Sequence, residues 1–280
     1  MAISFLLLPG CSKRPLFWNT LYKGDHEDYY KSDFLVAAAD GDIEYIKAHL
    51  AEHPNPDDVR GEWGSTALSL ATWKSHHEII RLLLDAGSNP DESVHGGSPL
   101  CIAITLGDTT GFDLLIKRSN LKLRSKEGFS PLQSACRYLN PSDEAVNHMV
   151  MALLQAGLDP NIPGPDGSLP LIWLTKNQRE KAIVALLKYG ADPRKTDSTG
   201  SSAISEAEKQ LMAAKQTLAH SEKLLAELDA GNKSIWNRDT LLGYISSEQV
   251  KIDRSIRILF SLQSSHLELT TTSYQHLSRT

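Results

Sequence analysis

GSTALSLATWKSHHEIIRLLLDAGSNPD, residues Gly64 to Asp91, reads as a turn, a short apolar helix around Leu68 to Ala71, a second helix around Glu78 to Leu84 and a glycine stop at Gly87. The same arrangement returns along the chain as GSPLCIAITLGDTTGFDLLI from Gly97, GFSPLQSACRYL from Gly128, GSLPLIWLTKNQREKAIVALLKYGADP from Gly167 and GSSAISEA from Gly200. The residue two before each short helix's Leu or Ile is Thr66, Ser98, Ser130, Leu169 and Ser202, at separations of 32, 32, 39 and 33. A period of about 33 residues marks a stacked repeat, because one helical pair cannot cover its own apolar face. An earlier stretch from Ser32, SDFLVAAADGDIEYIKAHLAEHPNPD, puts Phe34, Ala37, Gly41, Glu44 and Leu50 in equivalent places and reads as an N-terminal capping copy.

The repeated residue types each have a physical reason. Ser or Thr at the first position can cap the inner helix, and Pro99, Pro131 and Pro170 stand in its first turn, where a missing N–H costs little. Ala37, Ala71, Ala103 and Ala135 let neighbouring helices approach. Leucine pairs 82/83, 114/115, 153/154 and 186/187 bury the outer helices, and Gly87, Gly157 and Gly190 end them. Three departures stand out. The third copy carries six extra residues between Ala135 and Gly157, the second has no glycine stop in IKRSNLKL, and Leu174 replaces the small alanine of the fourth.

TALSLATWKSHHEIIRLLLDAGSNPD and LPLIWLTKNQREKAIVALLKYGADPR resemble the ankyrin repeat. The resemblance implies an all-α ankyrin-repeat solenoid, built of helix-turn-helix repeats with short hairpin turns. The expected copies cover about 32–61, 62–93, 94–125, 126–164 and 165–197, with a partial copy at 198–205. Beyond it, 206–264 is expected to form a helical hairpin that caps the stack, and 265–280 a polar, frayed tail. In the first arm of that hairpin Leu211, Leu218, Leu225 and Leu228 fall near heptad spacing, with a stop at Gly231. In the second, Val250, Ile252, Ile256, Leu259 and Leu262 form the apolar side.

No chemistry emerges from the remaining residues. A net charge of −5 gives no basic surplus for nucleic acid, and no run reaches the 18 apolar residues of a membrane span. His76 and His77 are adjacent on a helix, so their side chains diverge, which argues against a metal site. The resemblance puts Cys101 and Cys136 on core-facing helix positions, so they read as buried thiols. No nucleophile elbow, zinc-protease, phosphate-loop or dinucleotide motif occurs. The expectation is a non-enzymatic binding module with no cofactor, monomeric before it binds a protein partner.

The resemblance also places a binding surface. In ankyrin stacks the turn tips and the exposed side of the inner helices form a concave wall, and its scaffold-dispensable positions here are Glu62, Trp63, Trp73 and Lys74, then His95 and Leu106. Lys126, Glu127, Phe129, Arg137 and Tyr138 follow, then Asp166 and Lys176. Aromatic residues at such positions suit an interface hot spot. At the N-terminus, Leu8, Gly10 and Cys11 of LLPGC resemble a bacterial lipobox, with Cys11 as the lipidated residue, a signal-like and tether segment over 1–31 in which Lys13 to Lys31 is the tether, and Ser12 resembling an outer-membrane signal. A lipobox followed by an ankyrin stack is similar in layout to immunity lipoproteins paired with type VI secreted phospholipase effectors. It implies an inhibitor that plugs a cognate toxin at the bacterial envelope. The alternative is a cytoplasmic ankyrin adaptor, with membrane contact in the first case only through Cys11.

Overall fold

The structure is a computed structural model that describes residues 32–61, 64–92, 97–125, 127–138, 141–230 and 236–277, with side chains described up to residue 264. Among the described residues are twelve α-helices and no β-strand. They are α1 (Asp33–Asp40), α2 (Ile43–Glu52), α3 (Ala67–Trp73), α4 (His77–Asp85), α5 (Pro99–Leu106), α6 (Thr109–Ile116), α7 (Pro131–Arg137), α8 (Asp143–Gln155), α9 (Pro170–Lys176), α10 (Glu180–Lys188), α11 (Ala203–Asp229) and α12 (Arg238–Leu277). The chain condenses into two compact units, Met1–Asn120 and Leu121–Thr280.

In the first unit α1, α3 and α5 pack as an inner row and α2, α4 and α6 as an outer one. Hydroxyls start the inner helices: Thr66 accepts from the Ser69 N–H and Ser98 from the Cys101 N–H. Apolar residues at helical spacing then meet between the rows, where Leu35, Leu68, Ile80, Leu83, Leu100 and Phe112 are fully buried. Polar side chains join consecutive copies. The Asp57 carboxylate accepts from the Asn89 N–H (2.7 Å) and Asp91 from the Asn120 N–H (2.7 Å). His76 Nε2 lies 3.0 Å from the Ala39 carbonyl, and His77 Nε2 lies 2.8 Å from an Asp108 carboxylate oxygen. The two imidazoles thus serve different neighbours. Where the second copy lacks its glycine, α6 stops at Ile116. The Arg118 guanidinium reaches back to the Leu84 carbonyl (2.6 Å) and the Asp85 carboxylate (2.7 Å).

The second unit repeats the plan with α7, α9 and α11 inside and α8, α10 and α12 outside. Buried Gln133 donates through Nε2 to the Ile162 carbonyl (2.8 Å), tying the third copy to the fourth. The six-residue insertion lengthens the outer helix: α8 has 13 residues, against 9 in α10. At its end the Leu158 N–H returns to the Leu153 carbonyl (3.2 Å) around Gly157. α11 begins as another inner helix, capped by Ser202, and Gln210 Nε2 reaches the Lys176 carbonyl (3.2 Å). α12 continues the outer row, with Arg257 Nε 2.9 Å from Glu180 Oε1.

The C-terminal hairpin differs from expectation in phase and extent. Val250 and Ile256 face solvent, Val250 being 55% exposed, while Ile252 is 5% exposed. The seam on α12 instead runs through Leu241, Glu248, Ser255 and Leu262, seven residues apart, with Ile252 and Ile258 buried beside them, and the buried residues of α11 are the small Ala203, Ala207, Ala214 and Ser221. Leu211, Leu218, Leu225 and Leu228 flank that small row half-buried. Close helix approach favours small side chains at the contact line, and Glu248 and Ser255 disguise its period. α11 ends at Asp229 with Ala230 as its cap, while Gly231 lies outside the described residues. α12 runs to Leu277, through the stretch expected to be a frayed tail.

Candidate functional site

In the first unit Trp73 closes α3 half-buried, Lys74 follows it exposed, and Leu106 ends α5 40% exposed. α3 and α5 are adjacent, so these residues share one edge of the inner row. Glu62, Trp63 and His95, expected on the same edge, lie outside the described residues, as do Lys126 and Cys11.

The second unit brings most of its expected residues together around two tight turns. The Ser125 N–H donates to the Phe129 carbonyl (2.7 Å), and the Gly128 N–H to Ser125 (2.8 Å). In the next copy the Gly164 N–H donates to Ser168 (2.8 Å), and the Gly167 N–H to Gly164 (2.9 Å). Gly128 and Gly167 have φ of 87° and 76°, which an L-residue adopts only with strain. These turns carry Glu127 and Asp166, both exposed, beside the ends of α7 and α9, which carry Arg137 and Lys176.

Phe129 corrects the expectation of an exposed anchor, because it is 6% exposed. The Arg137 guanidinium covers it, with Cζ 4.3 Å from the ring centroid. The same guanidinium lies 5.8 Å from the Trp173 ring, and Lys176 Nζ lies 5.7 Å from that ring. Tyr138, at the end of α7, is half-buried and its N–H donates to the Ser134 carbonyl (3.2 Å).

Trp173 was not among the expected contact residues, although it organises them. Its register position is held by Leu70, Ile102 and Ser134 in the other copies. An indole is too large for that space, and here it stays half-exposed; the mismatch in size was the available signal. Its Nε1 donates to Ser168 Oγ (2.6 Å), whose hydroxyl donates to Asp166 Oδ1 (2.5 Å). The ring is therefore fixed to the turn tip. Partial burial raises the Asp166 pKa, but the Ser168 hydroxyl and amide and the Arg137 charge outweigh it and hold the carboxyl below its ordinary range. At Asp197 burial is likewise outweighed by hydrogen bonds from Thr199 and Ser201 and by the Lys176 charge.

Away from this edge, a cleft of about 490 Å³ opens between α8, α10 and α12. Its acids are paired: Asp143 with Arg179, Glu144 with Lys181 (2.7 Å) and Glu180 with Arg257 (2.9 Å). Burial pushes the Cys136 thiol up, away from the reactive thiolate. Among the described residues no group of three or more His, Cys, Asp or Glu side chains is placed to hold a metal ion, and no helix is long and apolar enough to cross a membrane.

Residues 34–125 match the family described as Ankyrin repeats (3 copies). The putative ankyrin repeat protein YahD of Escherichia coli (strain K12) is 28% identical over 175 residues, covering 60% of this chain and 85% of that protein. Neurogenic locus notch homolog protein 1 of Danio rerio is 32% identical over 148 residues, or 51% of this chain. The match spans only 6% of that relative's length. Among solved structures, an ankyrin repeat domain from Acinetobacter baumannii AYE superposes with a TM-score of 0.57 at 24% identity, covering 66% of this chain and 92% of that one, a likeness of fold.

Proposed function

From the premise that this chain is an all-α ankyrin-repeat solenoid, we propose that it is an immunity-type inhibitor, a monomer that binds and blocks a cognate secreted toxin. Ankyrin repeats are in general non-enzymatic protein-interaction modules, and protein partners follow from that. The observation that carries the reading is the edge where Arg137 and Lys176 flank Trp173, on residues the scaffold does not require. The lipobox-like LLPGC, with Cys11 as its lipidation residue, supports placement at a bacterial envelope, where a phospholipase effector would act. A partner seated on the turn tips of the second unit would cover Glu127, Arg137, Asp166 and Lys176.

The test uses the product of the open reading frame beside this protein's gene. Binding with a dissociation constant in the nanomolar range, with stoichiometric loss of that product's activity, is expected. Absence of binding by calorimetry, or binding that leaves the activity intact, contradicts the inhibitor reading. One observation favours a second reading, a cytoplasmic adaptor with two partners: α12 exposes Val250, Ile256 and Phe260, the last 70% exposed, on a separate surface.

A further inference from the structure

Arg137 and Lys176 hold the same register position on adjacent inner helices, each within 6 Å of one indole ring. Among the described residues neither side chain donates a hydrogen bond or joins an ion pair. Arg137 is half-buried and pressed against Phe129, so its guanidinium is partly desolvated and held in orientation while its N–H donors lack acceptors. A guanidinium in that condition gains more from an incoming carboxylate than a free surface arginine does.

The nearby acids do not supply that acceptor. Asp166 Oδ1 takes the Ser168 N–H (3.1 Å) and hydroxyl (2.5 Å). Asp197 Oδ1 takes the Thr199 N–H (2.9 Å), the Thr199 hydroxyl (2.6 Å) and the Ser201 N–H (3.0 Å). Both remain as fixed negative charges on the turn tips. They select against an extended polyanion and against a dianion, which they would repel, and leave room for one singly charged planar acceptor.

We infer that Arg137, Lys176 and Trp173 form a carboxylate-binding subsite that takes an Asp or Glu side chain of the protein partner. The guanidinium gives the planar donor pair, Lys176 a second charge, and the indole face an apolar wall against the acid's methylene. This deepens the binding-face reading and rests on it.

The test follows the Trp173 indole ¹H–¹⁵N resonance, assigned with Trp173→Phe, in the full chain. Titration with an acetylated, C-terminally amidated pentapeptide carrying a single glutamate among glycines should shift it saturably, and salt should weaken the effect. Arg137→Gln is expected to raise the dissociation constant at least about 10-fold and Arg137→Lys to restore part of the loss. Exposed Lys176→Gln gives a second reading should Arg137→Gln perturb folding. Inorganic phosphate binding at least as well as the peptide would overturn the carboxylate assignment. No shift at Trp173, or a shift unaffected by both substitutions, would overturn the subsite. The binding-face reading survives that failure if the cognate partner still binds, and falls separately if it does not.

Discussion

Among the described residues, four inner helices end on a residue with positive φ at one register position: Gly41 (90°), Ser75 (58°), Gly107 (73°) and Gln178 (54°). Ser75 closes its helix with an N–H to the Thr72 carbonyl (3.1 Å), and His76 follows with an N–H to Ala71 (2.9 Å). This conformation costs a residue with a Cβ roughly 1–2 kcal/mol. A glycine gives back about 0.4–1 kcal/mol through its freer unfolded chain. Ser75→Gly is therefore expected to stabilise the protein by about 0.5 kcal/mol. Gly41→Ala should do the reverse and more, because a Cβ there would lie 2.8 Å from His76 Cε1 and drive the ring from the Ala39 carbonyl. Backbone strain and the lost hydrogen bond together should cost about 2 kcal/mol. In a His76→Ala background the Gly41→Ala cost should fall by about 1 kcal/mol, since ring and bond are already gone. Urea unfolding followed by circular dichroism reads these as midpoint shifts at constant slope. A destabilising Ser75→Gly, or a Gly41→Ala cost equal in both backgrounds, would refute the reasoning.

Two further outcomes follow from the second unit. Ile252→Asp should cost several kcal/mol and melt the α11–α12 hairpin by placing an unpaired charge in its seam, whereas Val250→Asp should leave the urea midpoint unchanged. Asp166 has a depressed pKa when folded, so its contribution is present above the unfolded carboxyl value of about 3.9 and is lost as the pH falls through the folded value. The stability advantage over Asp166→Asn, measured by urea unfolding, should hold at pH 7 and vanish in strong acid. An advantage independent of pH would show that charge is not its source.

The repeat was legible because capping hydroxyls, first-turn prolines and stop glycines act within a few residues of one another. Ser98, Pro99 and Leu100 suffice to start a helix whichever copy follows. The face was legible only in outline. Register placed Arg137 and Lys176 on one edge, but the burial of Phe129 depends on where the Arg137 side chain turns. The role of Trp173 depends on a ring far larger than the Ser134 that holds the same register position one copy away. The hairpin phase was hidden because two of its seam positions are Glu248 and Ser255, so counting apolar residues selected Val250 and Ile256 instead. Patterns of residue type give direction along a helix, whereas these features depend on the neighbouring copy.

The central claim is that the turn tips and inner-helix ends receive the partner. Amide hydrogen exchange of the chain, with and without its bound partner, tests it most directly. Added protection is expected over 125–138 and 164–177, with the outer helices α8 and α10 unchanged. Protection confined to those outer helices, with the turn tips exchanging as in the free protein, would contradict the account.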